Sequence, residues 1–207
     1  MKLKRLKQEQ LKLAEKVITR DEYEKINLIG GCDQTFINNL VISCIVICDW
    51  EMNIIETSFA KLRINFPYIP GYLAFREIPP IIKAFKKLKN IPDILLCDFN
   101  GILHPRRIGA ASHLGILLDI PTIGIAKSLL LGKIKDDKIY IGNELRGAIL
   151  KIKKSKIYVS PGHKVSLKSA VKIVKRCIKN HKIPEPIFLA HRLVTQRRLF
   201  TLMSMSS

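Results

Sequence analysis

Asp98 to Lys127 reads DFNGILHPRRIGAASHLGILLDIPTIGIAK, and it follows directly on Ile94-Leu95-Leu96-Cys97. The span 93–98 has the form of a short, fully apolar strand that ends on a carboxylate. Residues 106–118 repeat apolar side chains at helical spacing, with Ile108, Ala111, Leu114 and Leu118 roughly on one side. Residues 121–126 form a second short apolar strand. Strands apolar on both faces, joined by a helix, predict neighbouring strands in a sheet covered on both sides. A glycine-containing turn and His104-Pro105-Arg106-Arg107 follow the carboxylate at once. An acid, an imidazole and two guanidiniums therefore meet where a buried strand enters its loop, which suits a metal ion with a phosphate beside it.

Upstream, three strand-like segments at 27–36, 40–50 and 53–62 are joined by short connections, which predicts an antiparallel meander. Residues 3–20 read as a surface helix among lysines. The prolines and glycine of Phe66-Pro67-Tyr68-Ile69-Pro70-Gly71-Tyr72 forbid a regular ladder, so this segment is a loop. The next helix is expected to start near Pro79, since proline is tolerated in a first turn. Downstream, residues 134–158 alternate apolar and charged residues, as in one or two peripheral hairpins. Ser166 can cap a helix carrying Leu167, Ala170, Val171, Val174, Cys177 and Ile178, and a last helix covers 188–200. The end of the chain, 203–207, is expected to fray. The resulting fold class is α/β: a mixed sheet of three antiparallel strands followed by parallel strands, flanked by helices, in the order of the ribonuclease H-like fold. One domain spanning 1–207 is expected, since no repeat, linker or boundary interrupts the 207 residues.

Lys and Arg number 36 against 17 Asp and Glu, a net charge of +19. Such a surface attracts polyanions, although a generally basic proteome would give the same excess. Five cysteines, an odd number without a C-x-x-C pair, lie mostly in apolar runs and read as reduced, buried thiols. The N-terminal twenty residues are charged throughout and do not resemble a secretory signal. No apolar run approaches the roughly 18 residues that a membrane span requires. A cytoplasmic protein without a membrane partner is expected.

Asp33 interrupts the apolar segment Ile29-Gly30-Gly31-Cys32. It is either a turn residue or a ligand in search of a cation. Asp98 is either a loop-shaping aspartate or a second ligand, and Glu77 is either a helix-dipole partner or a third. Taken together, three carboxylates from three elements can hold Mg²⁺, with Mn²⁺ as a substitute, and such ions activate water against a phosphodiester. Lys127, at the end of a buried strand, suits phosphate binding or water orientation. His104 suits proton transfer or phosphate binding, and His163, in Ser160-Pro161-Gly162-His163, a turn or a phosphate contact. His113 reads as structural and His181 as solvated, and His191 alone would pass for a core residue. Tyr68 on its proline loop can wedge into a base stack. Gly101 and Gly109 allow a base or phosphate to approach the backbone.

These pieces, in this order, resemble the endonuclease V family, which acts on deaminated, inosine-containing nucleic acid. The matching motifs are Gly31-Cys32-Asp33, Pro67-Tyr68-Ile69-Pro70-Gly71 with Phe75-Arg76-Glu77, Asp98-Phe99-Asn100-Gly101 with His104-Pro105-Arg106, Ala111-Ser112-His113-Leu114-Gly115, Ile123-Gly124-Ile125-Ala126-Lys127 and Ser160-Pro161-Gly162-His163. The resemblance implies Asp33, Glu77 and Asp98 as an Mg²⁺-binding acidic cluster, with His191 as a fourth active-site position and Lys127 placing water and phosphate. It implies nucleic-acid contacts by Pro67, Tyr68, Ile69, Pro70, His104, Arg106, Lys127 and His163. Gly71, Leu73, Gly101 and Gly109 would line a hypoxanthine pocket. The implied reaction cuts the second phosphodiester 3′ to the lesion and leaves 3′-hydroxyl and 5′-phosphate ends, in DNA repair. An inosine-specific endoribonuclease and a catalytically weak binding protein are the alternatives; a monomer is expected. Phe99 departs from the family's Asp-Gly-x-Gly and bears on lesion preference.

Overall fold

The computed structural model describes residues 2–206. In chain order the elements are α1 (Lys2–Ala14), β1 (Ile29–Ile37), β2 (Leu40–Cys48), β3 (Ile54–Arg63), α2 (Ala74–Phe85), β4 (Ile94–Cys97), α3 (Ala110–Leu118), β5 (Thr122–Ala126), β6 (Lys133–Lys135), β7 (Lys138–Ile141), β8 (Glu144–Ile152), β9 (Ser155–His163), α4 (Leu167–Cys177) and α5 (Glu185–Ser206). The strands form one sheet in the order β3-β2-β1-β4-β5-β9-β8-β7-β6. The β1–β2–β3 meander is antiparallel, and β1, β4 and β5 run parallel, as the sequence pattern predicts.

The two-residue period of β4 sorts the core. Ile94 and Leu96 face the cluster built with Ala170, Ile173, Val174 and Cys177 of α4. Leu95 and Cys97 face the opposite cluster, built with Ile78 and Ile81 of α2 and Ala111 and Leu114 of α3. A third cluster seats Leu189, Ala190 and Val194 of α5 on Cys44 and Val46 of β2. Each fully buried Ile or Leu contributes roughly 1.5–3 kcal/mol, so the alternation fixes both the register and the covering helices.

Several elements depart from the sequence expectations. α1 ends at Ala14 rather than near residue 20, because the following backbone is bonded elsewhere: the Ile18 N–H donates to His163 Nδ1 and the Ile18 carbonyl accepts from the Lys164 N–H. α2 begins at Ala74, one turn before Pro79, and carries Pro79 and Pro80 within it. The Tyr72 and Leu73 carbonyls accept from Phe75, Arg76 and Glu77, so the first turn is already closed when the prolines arrive. α3 starts at Ala110, not Arg106, because Arg107 adopts a left-handed φ of 59° that no helix continues through. Ser160–His163 is strand, not turn: β9 pairs antiparallel with β5 through a bulge at Thr122, so the supposed peripheral hairpins extend the main sheet. α5 runs three residues earlier and six residues further than 188–200, through the stretch expected to fray, while Ser207 lies outside the described residues.

Candidate active site

Register brings the first two acids together. Cys32 of β1 pairs with Cys97 of β4, so the next residues, Asp33 and Asp98, stand side by side where the parallel pairing ends. Gly31 sits under the start of α5; a Cβ there would lie 2.2 Å from the Pro186 carbonyl carbon. That close approach seats His191, just over one turn later, on Asp33, with Nδ1 to Oδ2 at 2.6 Å. Lys127, immediately after β5, donates from Nζ to Asp98 Oδ2 at 2.5 Å. Glu77 arrives from the first turn of α2 and is buried. Asp33, Glu77, Asp98 and Lys127 line a single cavity of about 390 Å³, a size suited to a base or small ligand.

The electrostatics couple these acids. Burial pushes the Asp33 carboxyl up, and the charge of Asp98 adds to it, against hydrogen bonds from the Gln34 backbone and His191. Burial pushes Glu77 up to about 7; Arg76 opposes, Asp98 and Asp33 reinforce, and Gln34 opposes weakly. Burial pulls the Lys127 ammonium down, but the hydrogen bond and charge of Asp98, together with Asp33, outweigh it and hold the group above its ordinary value. A site whose buried carboxylates repel one another favours a cation.

Among the described residues, no group of three or more His, Cys, Asp and Glu forms a ready-made metal cluster. The three acids share a cavity rather than a finished coordination sphere, with Lys127 and His191 bonded to Asp98 and Asp33 instead. The donor set nevertheless fits Mg²⁺, which takes hard oxygen ligands, retains its waters and is commonly held by one or two carboxylates plus substrate phosphate.

The base-pocket residues divide. Gly71, Leu73 and Gly109 line the cavity, along with Phe99, Ile108 and Ala110. Gly101 does not: its N–H donates to Ser160 Oγ at 2.9 Å, and a Cβ would lie 2.0 Å from the Pro161 carbonyl oxygen, so the residue locks the loop after β4 to β9. Phe99 also packs against the α2–α3 core, so part of its ring is spent on the interior rather than on the cavity.

The nucleic-acid residues divide as well. Tyr68, 67% exposed, and Pro70 rim the cavity, whereas Pro67 and Ile69 belong to the same loop without lining it. His104 lines the cavity as a buried imidazole; burial and the Arg106 and Arg146 charges lower it to about 4, so it is neutral at pH 7. Arg106 is a strut rather than a free phosphate ligand: Nη2 donates to the Gly71 carbonyl, Nε donates to Gln10 Oε1 at 2.6 Å, and the guanidinium lies 4.4 Å from the Tyr72 ring centre. His163 is corrected outright. It is buried opposite Thr122, at the far end of β5 from Lys127, and its Nδ1 accepts from the backbone of Ile18. His113 is structural, as expected, packed edge-on against Phe75 with its Nδ1 buried and unpartnered. His181 is partly exposed, with its ring stacked on Phe188 and Nδ1 on Glu185.

Two glutamines in the site escaped sequence reasoning. Gln10, buried at 1% exposure, donates from Nε2 to the Gly71 carbonyl and accepts from Arg106, which ties α1 to the proline loop. Gln34 lines the cavity beside Glu77, with its Oε1 accepting from Ser43 Oγ. A polar residue at the core-facing edge of a surface helix was the only signal for the first, and direct succession to Asp33 the only signal for the second.

Residues 11–192 match the family described as Endonuclease V. The chain is 43% identical to endonuclease V of Rippkaea orientalis over 198 residues, covering 89% of this chain and 86% of that protein. Among solved structures, the catalytic domain of human endonuclease V superimposes with a TM-score of 0.89 at 28% identity, covering 97% of each chain. Endonuclease V of Ciona intestinalis, in complex with a DNA containing an inosine followed by a ribo-adenosine, gives a TM-score of 0.86 at 33% identity, covering 95% of this chain and 96% of that one.

Proposed function

The chain belongs to the endonuclease V family and is an endonuclease, and from that premise we propose that it recognises a deaminated base, inosine, and cuts the strand at the second phosphodiester on its 3′ side, leaving 3′-hydroxyl and 5′-phosphate ends in DNA repair. The observation that carries this reading is the convergence of Asp33, Glu77 and Asp98 with Lys127 on one cavity of a strongly basic chain. The Ciona relative's complexes with inosine-containing DNA support the choice of base.

Nucleases of this family depend on a metal. Here Asp33, Asp98 and Glu77 would hold Mg²⁺, with Mn²⁺ as a substitute, and the ion would supply an activated water and stabilise the leaving oxygen. Lys127 places its ammonium beside Asp98, where it holds the scissile phosphate and orients water. His191 commits Nδ1 to Asp33 from outside the cavity lining and is half-exposed, so Nε2 is the atom able to move a proton beside Asp33. Gly71, Leu73 and Gly109 receive the flipped base, and Tyr68 fills the space that it leaves in the stack. His104 stands as a neutral imidazole beside the backbone, its Nδ1 accepting from the Arg106 N–H. Working as a monomer in the cytoplasm completes the reading.

The test is cleavage of matched inosine and adenosine strands with and without magnesium. Cutting confined to the inosine strand with magnesium supports the proposal; equal cutting of both strands, or none, refutes it. The relative's ribo-adenosine after the inosine favours a second reading, an inosine-specific endoribonuclease. Single-stranded RNA and duplex DNA assayed in parallel separate the two. A binding protein with a dead site would bind the inosine strand without cutting either.

A further inference from the structure

A second groove, of about 610 Å³, opens beside the catalytic cavity and shares residues with the active site. Lys127 and His191 stand at one end of it. From there it runs between the start of β9 and the α4–α5 connection, past Lys156 and Lys182. No Asp or Glu lines it. Glu185, the nearby acid, is engaged by His181 Nδ1 at 2.7 Å, and neither lysine has an acidic partner among the described residues. The His181 ring stacks on Phe188 with centres 3.3 Å apart and planes 12° apart. This stack, with the His181–Glu185 bond, fixes the connection that carries Lys182.

We propose that this groove is the track for the part of the cleaved strand flanking the scissile phosphate, with Lys156 and Lys182 binding its phosphates. The inference rests on the nuclease reading above and deepens it by naming a strand path that the acidic cavity alone does not define. Continuity decides the occupant. A strand whose phosphate lies against Lys127 must leave the cavity, and this groove begins at Lys127 and His191 and offers lysines without an acidic partner, Lys156 lying 5.8 Å from the Tyr158 ring centre. Lysines free of acidic partners beside a catalytic centre suit a polyanion, since each phosphate neutralised releases counterions.

The experiment compares wild type, Lys156→Ala/Lys182→Ala, and a control of equal charge change at the exposed C-terminal end of α2, Lys83→Ala/Lys86→Ala. The probes are inosine-containing single-stranded DNAs, one long and two trimmed on either side of the inosine, in the presence of magnesium. On the long strand the groove variant is expected to raise KM roughly tenfold with kcat unchanged, and to flatten the log–log salt slope by about 1.4 for two lost contacts. Trimming the strand on the side that enters the groove should bring wild type to the variant's KM, and the variant should be indifferent to that trimming. The control should behave as wild type. A groove variant equal to wild type in KM and salt slope overturns the proposal, as does an equal loss in the control or on every strand length. If wild type itself leaves the inosine strand uncut, the reading of the active site has failed and the groove falls with it.

Discussion

Lowering the pH from 7 to 4 should cost the fold about 3 kcal/mol through His113 alone. The ring is buried against Phe75 with Nδ1 unpartnered, and burial pulls its pKa from 6.5 down to about 4. A histidine depressed in the folded state is protonated first in the unfolded chain. Its contribution is therefore intact above 6.5 and is lost as pH falls through the window from 6.5 to 4. A difference of about 2.5 in pKa, at about 1.4 kcal/mol for each, sets a ceiling near 3 kcal/mol, almost all of it expended by pH 4. The perturbation is His113→Leu, which keeps an apolar side chain against Phe75 and removes the titrating group. Urea unfolding of both proteins at pH 7 and pH 4 is the assay. At pH 7 the variant should match or exceed wild type, because it removes an unpaired buried nitrogen. Between pH 7 and 4, wild type should lose about 3 kcal/mol more than the variant, a shift of roughly 1–2 M in the urea midpoint. His104 and the raised carboxyls titrate in both proteins, so the difference isolates His113. Equal losses in the two proteins would refute the reasoning.

Two further outcomes follow from the loop that rims the cavity. Arg106→Lys should lower the melting temperature by roughly 4–8 °C, because lysine cannot bridge Gln10 and the Gly71 carbonyl while lying over Tyr72; the loss is about 2 kcal/mol of charge-assisted bonding, read by thermal unfolding. Tyr68→Ala removes an exposed ring with no structural duty and should leave the melting temperature unchanged, while slowing cleavage of an inosine-containing duplex more than of a single strand, read as the ratio of the two rates.

The centre of the sheet was legible because its residues leave few choices. Ile94–Cys97 and Ile123–Ala126 are apolar on every position, so they had to be covered on both faces, and the helix between them had to cross over the sheet. Asp33 and Asp98 could be paired in advance because each directly ends or interrupts an apolar run. What failed to show was whatever depended on long-range partners. Nothing near Ile18 announces that its N–H is claimed by His163, some 145 residues away, so the local pattern extends α1 too far and reads His163 as a turn or phosphate contact. Pro79 and Pro80 carry a local signal for a helix start, yet Tyr72 and Leu73 close the first turn earlier and carry Glu77 inside the helix. Ser160-Pro161-Gly162-His163 reads locally as a turn, and only pairing with β5 makes it strand. The acids' arrangement was legible in kind but not in detail: which cation or imidazole each one would hold depends on Lys127 and His191, set by β5 and by the seat of α5 over Gly31.

The account stands on acidic side chains at residues 33 and 98 acting together on a strand bearing a deaminated base. Nicking of an inosine-containing strand by Asp33→Ala and Asp98→Ala, measured beside their binding of the same strand, tests that claim most directly. Loss of nicking with binding retained is the predicted result; wild-type nicking by either variant would contradict it.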